Sequence, residues 1–194
     1  MQAAGQAAAA NGWTLLSDGS WPGYVDLPCR VMEGYRQIAT EIVAQMSEQA
    51  GAIPSHVLLQ AGVGGLAAAL AAELRIDWGD APEMIVVEPE AAPALIESIR
   101  AGRVLVTEGP DSIMGRLDCK TPSMLALADL ARDADRFVTL SEAEAEAGTA
   151  IVAAAGLPST PSGTAGIAAL LAGIEGIGAE AHVLCILSEG PEDA

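Results

Sequence analysis

The sequence predicts an α/β fold in three layers, an αβα arrangement with helices on both faces of a mostly parallel sheet. Short apolar runs alternate with longer helical stretches along all 194 residues. The apolar runs are continuous, which is typical of parallel strands buried on both faces. The chain is 51% hydrophobic but only 3% aromatic, so small side chains must fill its core.

The first fifty residues are expected to contain two helices, joined by a short strand and a loop. Apolar residues recur at helical spacing from Val31 to Met46, and Gly51 follows as a helix stop. Asp, Gly, Ser and Pro residues are typical of the loop. In order, we expect a helix over 2–10 ending at Asn11-Gly12, a strand over 13–16, a loop over 17–28, and a helix from 30 to about 50.

The rest of the chain alternates between short apolar runs and helical stretches. Ser141-Glu142-Ala143-Glu144 is typical of a capped helix start. Strands are expected over 56–60, 84–87, 104–106, 136–140 and 183–187. Helices are expected over 66–74, 91–101, 123–133 and 141–155, and from the end of a loop at 158–163 to about 173; residues 110–122 are expected to be irregular.

The charge balance excludes several classes of partner. Nine Lys and Arg residues oppose 26 Asp and Glu residues, so the formal net charge is −17. Nucleic acids and anionic membrane surfaces both attract clustered cations, so neither is expected as a partner. The start of the chain has no signal-peptide pattern, and the longest uncharged apolar stretch, about 57–72, is too short to span a bilayer.

The cysteine pattern indicates reduced thiols in a cytoplasmic protein. Cys29, Cys119 and Cys185 form no close pair, and their spacing matches no zinc site. We therefore expect neither a disulfide nor a bound metal.

The strongest local motif is a buried strand that runs into Gly62-Val63-Gly64-Gly65 and then into a helix. Glycines let the backbone approach a ligand closely, and a helix start offers unpaired N–H groups, so this turn suits a phosphate. It is equally compatible with a turn that only packs a helix on a strand. A dinucleotide site fits less well, because Ala67 replaces the third glycine and Glu88 is a poor match for the acidic residue.

Two further segments are expected near the same edge of the sheet. Ser159-Thr160-Pro161-Ser162-Gly163-Thr164-Ala165-Gly166 precedes an alanine-rich helix, where its hydroxyls would either hold a polar ligand or simply cap the helix. Ser188-Glu189-Gly190 follows the last strand. That position lies at the ligand-binding edge of an open α/β sheet, or marks a chain leaving its domain.

Taken in order, these segments resemble the pyridoxal-phosphate enzymes of the tryptophan-synthase-β fold (fold type II), and most strongly the 2,3-diaminopropionate ammonia-lyases. The resemblance runs from about residue 12 to 190 but maps only onto the C-terminal half of such an enzyme. It therefore implies an incomplete copy of the large domain. The motifs are Gly62-Val63-Gly64-Gly65, Val87-Glu88-Pro89-Glu90, Pro161–Gly166, Ser188-Glu189-Gly190, Ser17–Tyr24, Met32-Glu33-Gly34-Tyr35, Leu58–Gly64 and Ile113–Cys119.

The resemblance implies pyridoxal phosphate as cofactor and assigns roles to individual residues. The backbone N–H groups of the glycine turn (Gly62, Val63, Gly64 and Gly65) would hold the cofactor phosphate. Ser188 would be a neutral hydroxyl partner of the pyridine nitrogen, which suits elimination chemistry. Asp18 would lie near the substrate amine or move a proton, or else cap its own turn. Glu88 would face the site or be solvated.

The family chemistry also needs a lysine that forms a Schiff base with the cofactor. The chain has one lysine, Lys120, which lies outside the family's lysine segment and is expected at the surface. We therefore expect residues 1–24 to be a remnant of the small domain and crossover, and 25–194 to be the cofactor-binding large domain.

The lone chain is expected to be inactive as an ammonia-lyase acting on a small amino acid. It would be a homo-oligomer, because missing strands leave an exposed edge, or would need a complementing lysine-bearing chain. Two alternatives stay open: a non-catalytic module of the same fold that binds phosphate or serves as a scaffold, and an unrelated nucleotide-binding domain.

Overall fold

The computed structural model describes residues 2–49 and 51–192. Helices alternate with strands along this part of the chain, as the apolar pattern predicts. The elements are α1 (Gln2–Asn11), α2 (Asp26–Glu48), β1 (His56–Gln60), α3 (Gly65–Trp78), β2 (Glu83–Pro89), α4 (Ala94–Ala101), α5 (Met124–Asp133), β3 (Arg136–Leu140), α6 (Glu142–Ala154), α7 (Pro161–Ala172) and β4 (Val183–Cys185).

The four strands form one parallel sheet in the order β3-β2-β1-β4. The central strands β1 and β2 are almost fully buried, whereas the edge strands β3 and β4 are mostly half-buried. Leu58 of β1 pairs with Ile85 of β2 on one side and with Cys185 of β4 on the other. The predicted parallel sheet of continuous apolar strands is therefore confirmed.

Helices cover both faces of the sheet, which confirms the three-layer prediction. One core lies between the sheet and helices α2, α3 and α5, and includes Leu59, Val86, Leu70 and Leu130. The second core lies on the opposite face, where Leu58 of β1 packs with small residues of α7. Within the described ranges, no helix combines the length and apolar character needed to cross a membrane.

Helices α6 and α7 pack unusually closely because a glycine lies at their contact. A Cβ atom built on Gly148 of α6 would lie 2.6 Å from Cα of Ala168 in α7, and closer still to the Ala168 Cβ. Close packing of this kind needs small residues, which agrees with the alanine-rich and glycine-rich composition.

The capped start predicted for α6 is present. The Ser141 hydroxyl oxygen accepts the Glu144 N–H, and the Glu144 carboxylate accepts the Ser141 N–H at 2.9 Å. This reciprocal pair satisfies two N–H groups that a helix start otherwise leaves without partners.

Ser141→Ala is expected to lower the free energy of unfolding by about 1 kcal/mol, because it removes the hydroxyl that caps α6. Urea unfolding followed by circular dichroism measures the change. Ser141→Thr keeps a hydroxyl at the same place and is expected to unfold with nearly the wild-type midpoint. An unchanged midpoint in the alanine variant would contradict the role of the cap.

Two short strands predicted from apolar residues are wrong. Residues 13–16 pair with no strand in the described chain, and Trp13 and Leu16 are 66% and 70% exposed. The Tyr24 hydroxyl instead donates to the Leu15 carbonyl and accepts the Ser17 N–H. Residues 104–106 are also irregular, and the Leu105 N–H donates to the Ser98 hydroxyl.

Several predicted boundaries move by a few residues. Helix α2 begins at Asp26 rather than 30, because Pro28 is tolerated in a first turn where no intrahelical N–H partner is needed. Its predicted end near Ala50 lies outside the described residues. Helix α4 begins at Ala94, after Pro93, and β4 ends at Cys185 rather than at residue 187.

Candidate functional site

A cleft of about 450 Å³ lies at the carboxyl ends of β1 and β4. Ligands of open parallel sheets bind at this edge. The glycine turn, the loop before α2, the irregular segment before α5 and the chain after β4 all contribute to its walls. Every predicted site residue lines this single cleft: Asp18, Gly62, Val63, Gly64, Gly65 and Ser188.

The glycine turn leaves the start of α3 open towards the cleft. Gly64 is the N-cap residue, with φ +96°, a conformation that favours glycine. No side chain caps this helix, and the first intrahelical bond here runs from the Ala68 N–H to the Gly64 carbonyl. The N–H groups of Gly65, Leu66 and Ala67 therefore precede the helical ladder, at the positive end of the helix dipole.

Gly62 is required for a different reason, which is close contact with another segment. A Cβ atom at this position would lie 2.9 Å from the Arg116 carbonyl oxygen and 3.1 Å from Leu117 Cα. Both are backbone atoms of the irregular segment before α5, so they have no rotamer with which to move away. The turn can pass under that segment only without a side chain at residue 62.

Val63 contributes its backbone mainly to holding the turn in place. Its carbonyl accepts the Ser123 N–H at 2.9 Å. Its N–H lies against the Cys119 thiol and lowers the pKa of that group, but burial is the larger effect and raises the pKa above its ordinary value of 9.0. The Asp18 carboxylate raises it further.

Asp18 lies in the cleft wall with an exposed side chain. Its loop is fixed from behind by Ser20, whose hydroxyl lies 2.7 Å from that of Ser123. The turn-capping role considered for Asp18 belongs to Ser17, because the Ser17 hydroxyl accepts the Gly19 N–H. The same Ser123 thus links the Asp18 loop and the glycine turn.

Ser188 follows β4 and is held by Gln60, a residue that sequence reasoning did not assign to the site. Gln60 is only 3% exposed, and its side-chain N–H₂ donates to the Ser188 hydroxyl at 3.0 Å and to the Ile186 carbonyl at 2.9 Å. The Gln60 amide oxygen has no hydrogen-bond partner among the described residues. The position of Gln60 as the last residue of β1 was the available signal.

An ion pair between Arg116 and Glu189 crosses the mouth of the cleft, and neither residue was predicted as a site residue. The Thr160 hydroxyl donates to the Glu189 carboxylate at 2.6 Å, and the Arg116 N–H donates to the Ser162 hydroxyl at 3.1 Å. The hydroxyl-rich segment before α7 therefore supports the cleft wall as well as capping its helix, where the Thr160 hydroxyl accepts the Gly163 N–H.

Glu88 neither faces the cleft nor is solvated, so both predictions for it are wrong. Its side chain is 0% exposed, and its two oxygens accept the N–H groups of Leu95 and Ile96 at 2.7 and 2.8 Å. Burial raises the pKa of this carboxyl to about 7, against the opposing effect of these two hydrogen bonds.

Glu88 is expected to reduce stability as pH rises from about 4.5 to about 7. Its pKa is higher in the folded protein than its ordinary value, so the folded state binds more protons in this interval. The free energy of unfolding therefore falls, by an amount on the order of 2 kcal/mol, and levels off above the folded-state pKa.

Urea unfolding of the wild type and of Glu88→Gln across this pH range measures the effect. The glutamine variant lacks the titrating group, so the difference between the two unfolding free energies is expected to change with pH. A constant difference would contradict the assignment.

Lys120 lies outside the cleft lining and is not the exposed surface residue that the sequence predicted. Its side chain is only 27% exposed. The ammonium donates to the carbonyls of Ala91 and Pro110, each at 2.8 Å, and to the Asp118 carboxylate at 2.5 Å. This contact also lowers the pKa of Asp118.

Across the part of the chain that the structure describes, no cluster of three or more His, Cys, Asp or Glu side chains is arranged to hold a metal ion. The fold and cleft define an α/β domain with its candidate ligand site at the carboxyl edge of a parallel sheet. The family of pyridoxal-phosphate dependent enzymes matches residues 1–189, and the chain belongs to that family. The family resemblance and the fold predicted from it are thereby confirmed.

Curated relatives are diaminopropionate ammonia-lyases. The protein of Escherichia coli strain K12 is 35% identical over 151 residues, covering 76% of this chain and 37% of that protein. The protein of Salmonella typhimurium is 32% identical over 205 residues, covering 94% of this chain and 50% of that protein. The chain thus spans half or less of the length of these relatives.

Solved structures agree. Diaminopropionate ammonia-lyase from Escherichia coli, in complex with an aminoacrylate–pyridoxal-phosphate azomethine intermediate, superposes with a TM-score of 0.84 at 31% identity, covering 95% of this chain and 51% of that one. The threonine deaminase of T.th. gives a TM-score of 0.85 over the whole chain and 66% of its own, but at 24% identity it supports the fold alone.

Proposed function

We propose that this chain is the cofactor-binding part of a pyridoxal-phosphate-dependent ammonia-lyase of the diaminopropionate type, which releases ammonia from a small amino acid. Residues 25–194 form the cofactor-binding domain in this proposal, and residues 1–24 belong to the small domain and its crossover. The observation that carries the proposal is that the glycine turn and Ser188 lie on the walls of the same cleft, at the sheet edge.

The phosphate of the cofactor fits the glycine turn on structural grounds. Helix α3 has no side-chain cap, and Gly64 adopts the positive φ that opens the helix start. A backbone site of this kind needs no lysine or arginine, which suits a chain with a net charge of −17. Gly62, Val63, Gly64 and Gly65 are the residues proposed to hold this group.

Ser188 is proposed to contact the pyridine nitrogen of the cofactor. Gln60 already donates to the Ser188 oxygen, so the Ser188 hydroxyl hydrogen stays free to donate to another acceptor. A pyridine nitrogen accepts that hydrogen only when it is unprotonated. Gln60 therefore orients Ser188 as a donor and favours the neutral ring.

Bound pyridoxal phosphate supplies an electron-withdrawing ring that acidifies the α-hydrogen of an attached amino acid. On this chain, the group placed to take or give a proton is Asp18, whose exposed carboxylate lines the same cleft. The Arg116–Glu189 pair closes part of the mouth and leaves Asp18 as the unpaired carboxylate among the described cleft residues.

The Schiff-base lysine is proposed to come from polypeptide outside these 194 residues. Lys120 is the only lysine in the sequence, and its ammonium already serves three oxygen atoms away from the cleft. The chain by itself is therefore expected to bind the cofactor without turnover. Activity would require a complementing lysine-bearing chain, and we expect the assembled enzyme to be an oligomer in the cytoplasm, where free thiols such as Cys29 persist.

Titration of the purified chain with pyridoxal phosphate, followed by tryptophan fluorescence, tests cofactor binding. We expect saturable binding that inorganic phosphate competes away. Addition of the lysine-bearing N-terminal half of a diaminopropionate ammonia-lyase should then produce ammonia from 2,3-diaminopropionate. Absence of cofactor binding would overturn the proposal, whereas binding without complemented activity would favour the non-catalytic anion-binding alternative.

A further inference from the structure

Glu88 is a buried carboxylate that the proposed chemistry does not use. It lies near the carboxyl end of β2, outside the cleft lining, and is 0% exposed. Both of its oxygens accept backbone N–H groups, from Leu95 at 2.7 Å and from Ile96 at 2.8 Å. An ionised carboxylate accepts at both oxygens, whereas a protonated one presents an O–H to one of these donors.

These two hydrogen bonds fix the start of helix α4. The N-cap residue of α4 is Pro93, and no side chain at that position caps the helix. Glu88 therefore takes over the cap from a neighbouring strand, and its negative charge lies at the positive end of the helix dipole. The position of α4 relative to β2 depends on this contact.

Helix α4 in turn supports the glycine turn. A Cβ atom built on Gly64 would lie 3.1 and 3.2 Å from the two Cδ atoms of Leu95. Leu95 is fully buried, so it has little freedom to move away. The residue whose N–H binds Glu88 is thus the residue whose side chain presses on Gly64.

The charged groups around Glu88 give it no ion-pair partner within the described ranges. Glu97 on α4 adds a like charge. The nearby loop carries Lys120 and Asp118, which bind each other, and Lys120 contacts the Ala91 carbonyl rather than Glu88. Glu90, the next acidic residue after β2, is exposed.

We propose that Glu88 is a positioning residue for the phosphate-binding turn: its contact with the Leu95 N–H holds the Leu95 side chain against Gly64, and so keeps the N–H groups at the start of α3 open to the ligand. The ligand half of this statement rests on the proposed function. The structural half, the coupling of Glu88 to Gly64, stands without any ligand.

The test compares Glu88→Gln with Glu90→Gln in the full chain. Glutamine has the size of glutamate, but it places an N–H₂ group against one of the two backbone donors. We expect pyridoxal phosphate and inorganic phosphate to bind Glu88→Gln at least about tenfold more weakly than wild type, and to bind Glu90→Gln within about twofold of it. Equal binding by Glu88→Gln and wild type would overturn the proposal.

A second measurement needs no ligand and no variant. In two-dimensional amide NMR spectra of the wild-type chain, the Gly64 and Gly65 signals are expected to shift as pH falls through about 7, the pKa of Glu88. The signals of Gly5 and Gly34, which lie in α1 and α2, should not follow this transition. The shift is expected to disappear in Glu88→Gln and to persist in Glu90→Gln.

The two arms separate the possible failures. If the wild type binds no pyridoxal phosphate but Gly64 and Gly65 titrate as described, the proposed function fails and the positioning role is retained. If wild-type Gly64 and Gly65 do not titrate, the positioning role is overturned, even where Glu88→Gln does not fold.

Discussion

Gly62→Ala is expected to weaken binding of pyridoxal phosphate by about ten- to a hundredfold. The added methyl group would lie 2.9 Å from the Arg116 carbonyl oxygen and 3.1 Å from Leu117 Cα. Because both contacts are backbone atoms, either the glycine turn or the irregular segment must shift. Such a shift misplaces the N–H groups at the start of α3. Fluorescence titration with the cofactor measures the loss.

Gly115→Ala is the matched control for this prediction. Gly115 lies in the same irregular segment, but a Cβ atom there would meet no heavy atom within 4 Å. We expect its cofactor affinity to stay within about twofold of wild type. Equal losses in the two variants would show that the segment tolerates no change at all, and would refute the specific contact at Gly62.

Gly148→Ala is expected to cost about 3 kcal/mol in the free energy of unfolding, the upper part of the range for an overpacked core. The new methyl group would overlap Ala168, at 2.6 Å from its Cα and closer still to its Cβ. Helices α6 and α7 would have to separate, and Leu58 and Ile85 of the sheet would lose close packing. Equilibrium urea unfolding measures the cost.

Gly34→Ala separates this contact from a general effect of glycine in helices. Gly34 lies inside α2, where a Cβ atom would meet nothing within 4 Å. Alanine is the better helix former, so this variant is expected to gain about 0.5–1 kcal/mol. Opposite signs for the two substitutions would support the packing role of Gly148, and a loss in both would refute it.

Much of the sheet was predictable because its strands are short apolar runs between clear breaks. The bounds of β1 and β3 agree with those predicted, and β2 differs only at its ends. The start of α6 was also predictable, because the capping residues Ser141 and Glu144 are three positions apart. In each case the decisive signal lies within a few residues.

The remaining features depend on contacts between distant parts of the chain. Residues 13–16 have strand-like composition, but a hydroxyl from Tyr24 satisfies their backbone. Gln60 meets Ser188 across 128 positions, and Arg116 meets Glu189 across 73. Glu88 looks like a solvated strand end until α4 folds over it. Local patterns placed the candidate ligand residues in one region, but they did not reveal the groups that support them.

The hydrogen bonds of Lys120 have a practical consequence for labelling. Its nitrogen donates to two carbonyl oxygens and one carboxylate, so its lone pair is not free to attack an aldehyde. Treatment of a cofactor-loaded, complemented sample with sodium borohydride would convert any imine into a stable secondary amine. Peptide mapping by mass spectrometry should then find the reduced pyridoxyl tag on the complementing polypeptide, with Lys120 unmodified.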